Sequence, residues 1–167
     1  MSSPYASRFP PRLATALAVG LLASSHGLFA NVGAAAFGVQ FAAPKAGLTE
    51  LQRVKLWRLF YDRAKVQMAP LGPVMAIAAV FAFRHAPSEL HRRLALAAGV
   101  ASTLIVPFTV FALLPTNHEL EAIDDKADEA DADARGRVLR ETWDTRNRFR
   151  LALFAISWLS TAAQLFI

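Results

Sequence analysis

The chain has no cysteine among its 167 residues, which excludes disulfides and thiolate metal sites in any compartment. It is also short of charge. Asp, Glu, Lys and Arg make up 19% against 54% hydrophobic residues, fewer charges and more apolar side chains than an average soluble domain carries. The charges are clustered and leave long uncharged runs, the pattern of a membrane protein. The net charge is +5, yet no nucleic-acid-binding pattern accompanies it. The cations sit beside apolar runs, where they mark membrane flanks, so nucleic acid is not an expected partner. The length suits a single membrane domain, residues 1–167, rather than two domains.

Crossing the hydrocarbon takes about 20 largely apolar helical residues, and about 17 at the short end. Four runs free of Asp, Glu, Lys and Arg meet this: 13–43, 66–83, 94–115 and 151–167. Pro70 and Pro73 interrupt the second. In lipid every backbone polar group must be satisfied internally, and no alternating strands that would close a barrel are visible. The expected fold is therefore an all-α integral membrane protein, a four-transmembrane-helix bundle. The first run continues well past the small residues at 23–25 where a signal peptide would be cut, so it reads as a retained span. Its small residues, Gly20, Ala23, Gly27, Ala30 and Ala34, recur every three or four positions and let a neighbouring helix approach closely.

The connections are unequal. The link between the second and third runs is short. The connection before the second run has the pattern of an amphipathic helix, with Thr49 and Gln52 spaced for a capping box. The connection after the third run begins with an acidic, Ala-rich stretch, 124–133, readable as helix or loop. Gly136 reads as a break, and a helix then leads into the last run. Helical extensions are thus expected on the side of the two long connections. These hold 13 of the 18 basic residues, which places them in the cytoplasm and both termini on the opposite side.

Polar residues that solvent exposure explains poorly fall in four groups: His26 and Asn31 in the first run, Trp57, Tyr61 and Arg63 before the second, Thr116, Asn117 and His118 ending the third, and Trp143, Asn147 and Arg150 before the fourth. Trp57 and Tyr61 share a helix face, as do Trp143, Asn147 and Arg150. Following the chain through four antiparallel spans brings Asn31 and the last three groups to one side of the membrane. Such a pocket would offer flat apolar faces and a few donors, suited to a planar, oxygen-rich aromatic ligand. Interfacial anchoring explains the aromatic residues singly, and headgroup binding or snorkelling explains Arg146, Arg148 and Arg150. The four histidines show no ligand spacing, so no metal site is expected. A metal or haem near His26 or His118 is the alternative.

The segments "VPFTVFALLPTNHELEAID" and "TWDTRNRFR", with "LWRLFYDRAKVQMAPLGPVMA" before them, resemble the anthrone oxygenase-like family of small four-span membrane proteins. The resemblance runs over roughly residues 12–167. It implies oxidation of an anthrone-like aromatic polyketide to an anthraquinone by molecular oxygen, with no securely assigned flavin, haem or metal. The positions it carries over are Asn117, Trp143, Asn147, Trp57 and Tyr61. On that basis His118 is the expected base and His26 the second choice, since an imidazole suits removal of the acidic anthrone proton. Asn117, Asn147 and Arg150 are the expected donors to the developing oxyanion. Trp57, Tyr61, Trp143, Arg150 and Asn31 are the expected substrate contacts. Expected partners are a small hydrophobic aromatic substrate and membrane lipid, and the bundle is compatible with a homo-oligomer. The competing readings are a non-catalytic bundle that binds a lipid or protein through the same face, and a metal- or haem-dependent oxidase.

Overall fold

The computed structural model describes residues 9–36, 47–123 and 129–167, and all regular structure among them is helical. In chain order the helices are α1 (Pro11–Ala36), α2 (Glu50–Met68), α3 (Leu71–Arg84), α4 (Glu89–Phe108), a π-helical turn (Thr109–Leu113), α5 (Leu114–Glu121) and α6 (Glu129–Ala163).

Local chemistry sets the boundaries. Thr49 and Gln52 form the expected capping box at the start of α2: each side chain accepts from the other's backbone N–H. Ser88 caps α4 by accepting from the His91 N–H. Pro70 and Pro73 supply no N–H to the helical ladder. Ala69 and Pro70 nevertheless keep right-handed helical angles, so α2 and α3 form one interrupted rod.

Four segments close a ring. α1 packs against α3 and α6, and α4 packs against the same two helices. The ring's interior is built from small residues: Ala78, Ala79, Ala82, Ala95, Ala98 and Ala101 are all buried. Many of its large apolar residues point outward, Leu22 at 73% and Phe111 at 81% exposed, while Leu13, Leu17, Met75 and Phe154 are buried. A soluble bundle would bury the large side chains and expose polar ones. In lipid the balance differs, because the tails are as apolar as leucine, and close van der Waals contact between small residues holds helices together. Buried hydroxyls add specific bonds: Ser102 and Ser157 are 2.9 Å apart across α4 and α6, and Trp158 donates to Ser25 at 2.9 Å. The protein is an all-α membrane bundle. Residues 11–33, 50–84 and 89–121 form helical rods long and apolar enough to cross a membrane. The fourth wall is the C-terminal half of α6, whose N-terminal half is strongly charged.

Three boundaries differ from the sequence reading. α1 is helical to Ala36, and the rest of the expected 13–43 run lies outside the described residues. The third run does not end at Pro115, because α5 carries the helix on to Glu121. Gly136 breaks nothing; α6 passes straight through it. A Cβ there would stand 3.1 Å from Val54 Cγ2, so the glycine serves close approach of α2 to α6. Of the acidic stretch, residues 124–128 lie outside the described residues.

α2 lies along the N-terminal half of α6. Glu50 accepts from both Arg53 and Arg140, and the Leu51 N–H donates to Asp133. Arg58 reaches from α2 to the carbonyls of Glu121 and Ile123, at 2.6 and 2.8 Å. It thereby caps the exposed carbonyl end of α5. Beneath this layer Val54, Trp57, Leu113, Leu120, Ile123 and Trp143 form a buried cluster, which fixes the roof of the site.

Candidate functional site

Between this roof and the ring lies a cavity of about 820 Å³, within the size range that holds drug-sized ligands. Its walls are largely apolar, from α1, α2, the stretch from Ile105 to Asn117, and α6. The structure brings Asn31, Tyr61, Asn117, Trp143 and Arg150 to these walls. Trp57 stands behind them. Its indole stacks on Tyr61 with centroids 4.9 Å apart and planes 7° from parallel, and it meets Trp143 edge-on at 5.9 Å. Trp57 therefore fixes the orientation of two rings that the ligand would meet.

Arg150 is the charged group on the α6 wall. Its Nη2 donates to Asn147 Oδ1 at 2.6 Å and to Asn31 Oδ1 at 3.3 Å. Asn31 Nδ2 is engaged by the Gly27 carbonyl at 2.6 Å, which sets the flip of that amide and turns its oxygen to the guanidinium. Asn147 is buried and is a holder of Arg150 rather than a cavity wall. The Nε of Arg150 is buried with no hydrogen-bond partner, and so is Oδ1 of Asn117. Buried polar atoms are almost always paired. Both of these unpaired atoms belong to side chains that line the same apolar cavity.

Asn117 reaches the cavity because of the π-turn. Pro107 and Pro115 both lack an N–H, so the helical ladder is weakened on either side of Thr109–Leu113, and the chain widens between them. Arg146 of α6 holds the widened turn, donating to the Ala112 carbonyl at 2.7 Å and to Thr116 Oγ1 at 2.5 Å. A headgroup-binding role does not describe this arginine; it is a clamp between two helices. Neither the clamp nor the Arg58 cap was legible in the sequence, since each joins residues more than 25 positions apart.

The two expected bases are elsewhere. His118 is exposed, one position beyond Asn117 and turned away from the cavity walls. His26 is exposed on α1, between the packed positions Ser24 and Gly27. Neither lines the cavity. His118→Ala is therefore expected to leave substrate turnover within twofold of the unsubstituted protein in a steady-state assay. A loss of tenfold or more would return the imidazole to the chemistry. Among the described residues no three His, Asp or Glu side chains are grouped to hold a metal ion.

A sequence model of one family, described as anthrone oxygenase, matches residues 57–160. That is more than half of the chain, and it includes all the cavity-lining residues named here except Asn31. No curated protein and no solved structure matches the chain.

Proposed function

The chain belongs to the anthrone oxygenase family, and from that premise we propose that the cavity binds an anthrone-like aromatic polyketide and presents it to molecular oxygen. The observation that carries this reading is an apolar cavity of about 820 Å³ with a few polar side chains, Asn117 and Arg150 among them, on its walls. A polycyclic ring system fits within such a space, and its few oxygens meet those side chains. Tyr61 and Trp143 supply aromatic walls, with the stacking and edge contacts that flat rings favour.

The reaction needs little from the protein beyond this. Loss of a proton from the anthrone methylene gives a carbanion that is also an aromatic phenolate-type anion. That carbon forms a bond to dioxygen, and protonation gives a hydroperoxide. Cleavage of its O–O bond with loss of the remaining hydrogen releases water and leaves the quinone carbonyl. One oxygen atom enters the product and one leaves as water, so oxygen serves as the oxidant. No other redox partner is needed to balance the equation.

Access fits a membrane setting. Leu59, Val106 and Val110 line the cavity and are also exposed, 67%, 42% and 45% respectively. They form an apolar opening between α2 and α4 on the same outer surface as the lipid-facing residues. Both an apolar substrate and dioxygen partition into lipid, and both would reach the cavity sideways. In this proposal the long connections and their helical extension lie on the cytoplasmic side.

The test is direct. Purified protein in detergent is given a hydroxylated anthrone, and oxygen uptake and quinone absorbance are followed. A rate no greater than spontaneous oxidation sinks the proposal, and binding without turnover would support a lipid- or partner-binding bundle instead. Asn117→Leu keeps the volume and removes the polar atom. Leaving a substrate hydroxyl unpaired in a dry site costs about 1–3 kcal/mol. The variant should therefore lose roughly ten- to a hundredfold in kcat/KM while its melting curve is unchanged.

A further inference from the structure

The charge on Arg150 is not answered by any described residue. Among the described residues no carboxylate pairs with it; its two partners are neutral amides, from Asn31 and Asn147. The other cations on the cavity wall are placed differently. Arg63 is exposed, and Lys65, partly exposed, is paired with Asp62 at 2.6 Å and Glu121 at 3.7 Å. A guanidinium remains protonated in a protein, and a charge drawn into an apolar site is costly unless an opposite charge joins it. The Nε of Arg150 is buried without a hydrogen-bond partner, and the side chain lines the cavity.

Among the described residues the cavity wall also lacks a base. Its titratable residues there are Tyr61, Arg63, Lys65 and Arg150, a phenol and three cations, with no carboxylate and no imidazole. Among these residues none takes a proton at neutral pH, and a group that stabilises the resulting anion is present.

Resting on the oxygenase reading for the identity of the ring system, we propose that Arg150 is an oxyanion site that captures the ligand as its planar aryl oxyanion. The proton passes to water as the anion is bound, with only the ligand's own C–H or O–H bond broken. Asn31 and Asn147 are positioning residues: by accepting from Nη2 they hold the guanidinium at the cavity wall. Catalysis then consists of raising the population of the oxygen-reactive anion, because the bound form ionises at lower pH than the free form. This differs from general-base catalysis by an imidazole.

The experiment uses a dihydroxyanthraquinone, whose visible absorption shifts when a ring hydroxyl ionises. The dye is bound to the full-length protein in a nonionic detergent and titrated with pH, beside empty micelles, R150K and R150Q. The dye on the unsubstituted protein should ionise at least about one pH unit below the dye in micelles, a tenfold change in the ionisation constant. R150K should keep part of that shift, and R150Q should abolish it. Binding of the non-ionisable dimethyl ether of the dye, followed by quenching of tryptophan fluorescence, should be equal in R150Q and the unsubstituted protein if the cavity is intact. Equal ionisation in the unsubstituted protein and R150Q would overturn the proposal, and so would loss of ether binding together with loss of the shift. Displacement of the dye by an anionic phospholipid from the unsubstituted protein but not from R150Q would assign the guanidinium to a headgroup phosphate and overturn it likewise. An ionisation shift with no oxygen uptake from a hydroxylated anthrone would leave the anion site standing and remove the oxygenase reading. Oxygen uptake with no shift would do the reverse.

Discussion

Alanine in place of Gly27 is expected to cost both stability and ligand binding. A Cβ at this position would lie 2.2 and 2.5 Å from two carbons of the Phe154 ring, far inside van der Waals contact. Phe154 is 1% exposed and packs with Ala23, Met75, Ile105 and Leu153, so most directions are closed to it. It also lines the cavity, which is the one open space beside it. The ring must therefore turn into the binding volume or α1 must move off α6. Overpacking of this kind costs about 1–3 kcal/mol. Movement of α1 would also disturb Asn31, whose amide is tied to the Gly27 carbonyl and whose oxygen faces Arg150. The expected result is a lower thermal midpoint in detergent and at least a tenfold weaker affinity for an anthraquinone ligand. Adding Phe154→Leu to Gly27→Ala should recover most of both. If the single substitution leaves midpoint and affinity unaltered, the close contact has no role in shaping the cavity.

Removal of the α6 clamp should act on turnover more than on folding. Arg146→Met keeps an apolar stem of similar length and deletes the hydrogen bonds to Ala112 and Thr116. Bonds from a charged donor contribute about 1.5–3 kcal/mol, and here they hold a backbone carbonyl in a widened turn. Asn117 follows directly in sequence, so its side chain loses its fixed direction. A fall in kcat of about tenfold is expected, with partial recovery in Arg146→Lys. Amide exchange should quicken over residues 109–116 and stay unchanged in α1 and α3. Uniformly faster exchange would show instead that Arg146 supports the whole bundle, and unchanged exchange would show that it clamps nothing.

The bundle was legible in the sequence because it rests on local quantities. Runs without charge mark the hydrocarbon, and the small residues at positions 20, 23 and 27 mark a packed face. The capping box at Thr49 was readable for the same reason, since both partners lie within four residues. The neighbourhood of the cavity was legible in part. Spacing along one helix placed Trp143 and Arg150 together, and tracing the spans brought Asn31, Tyr61 and Asn117 to the same end. That His118 lies outside the cavity was not legible, for a different cause. Which of two adjacent residues faces inward depends on the accumulated rotation of the helix, and that rotation changes in the π-turn. The exposure of His26 was not legible because an uncharged span does not say which of its sides is packed. Arg146, Arg58 and Gly136 take their meaning from partners brought close by the fold, and nothing beside them in the chain announces those partners.

The π-turn has a consequence for how the chain counts. A regular α-helix turns about 100° with each residue, and a turn closed by bonds to the fifth residue back absorbs roughly one residue extra. Everything beyond Leu113 is set back by that amount relative to α4. In an uninterrupted helix the direction now taken by Asn117 would belong to Thr116. The widened turn thus behaves as a one-residue insertion taken up inside a membrane helix without a loop. The rod stays continuous from Glu89 to Glu121, and its two ends meet the same partner helix differently: Ser102 against Ser157 below, and the Ala112 carbonyl and Thr116 against Arg146 above, with Asn117 on the cavity wall.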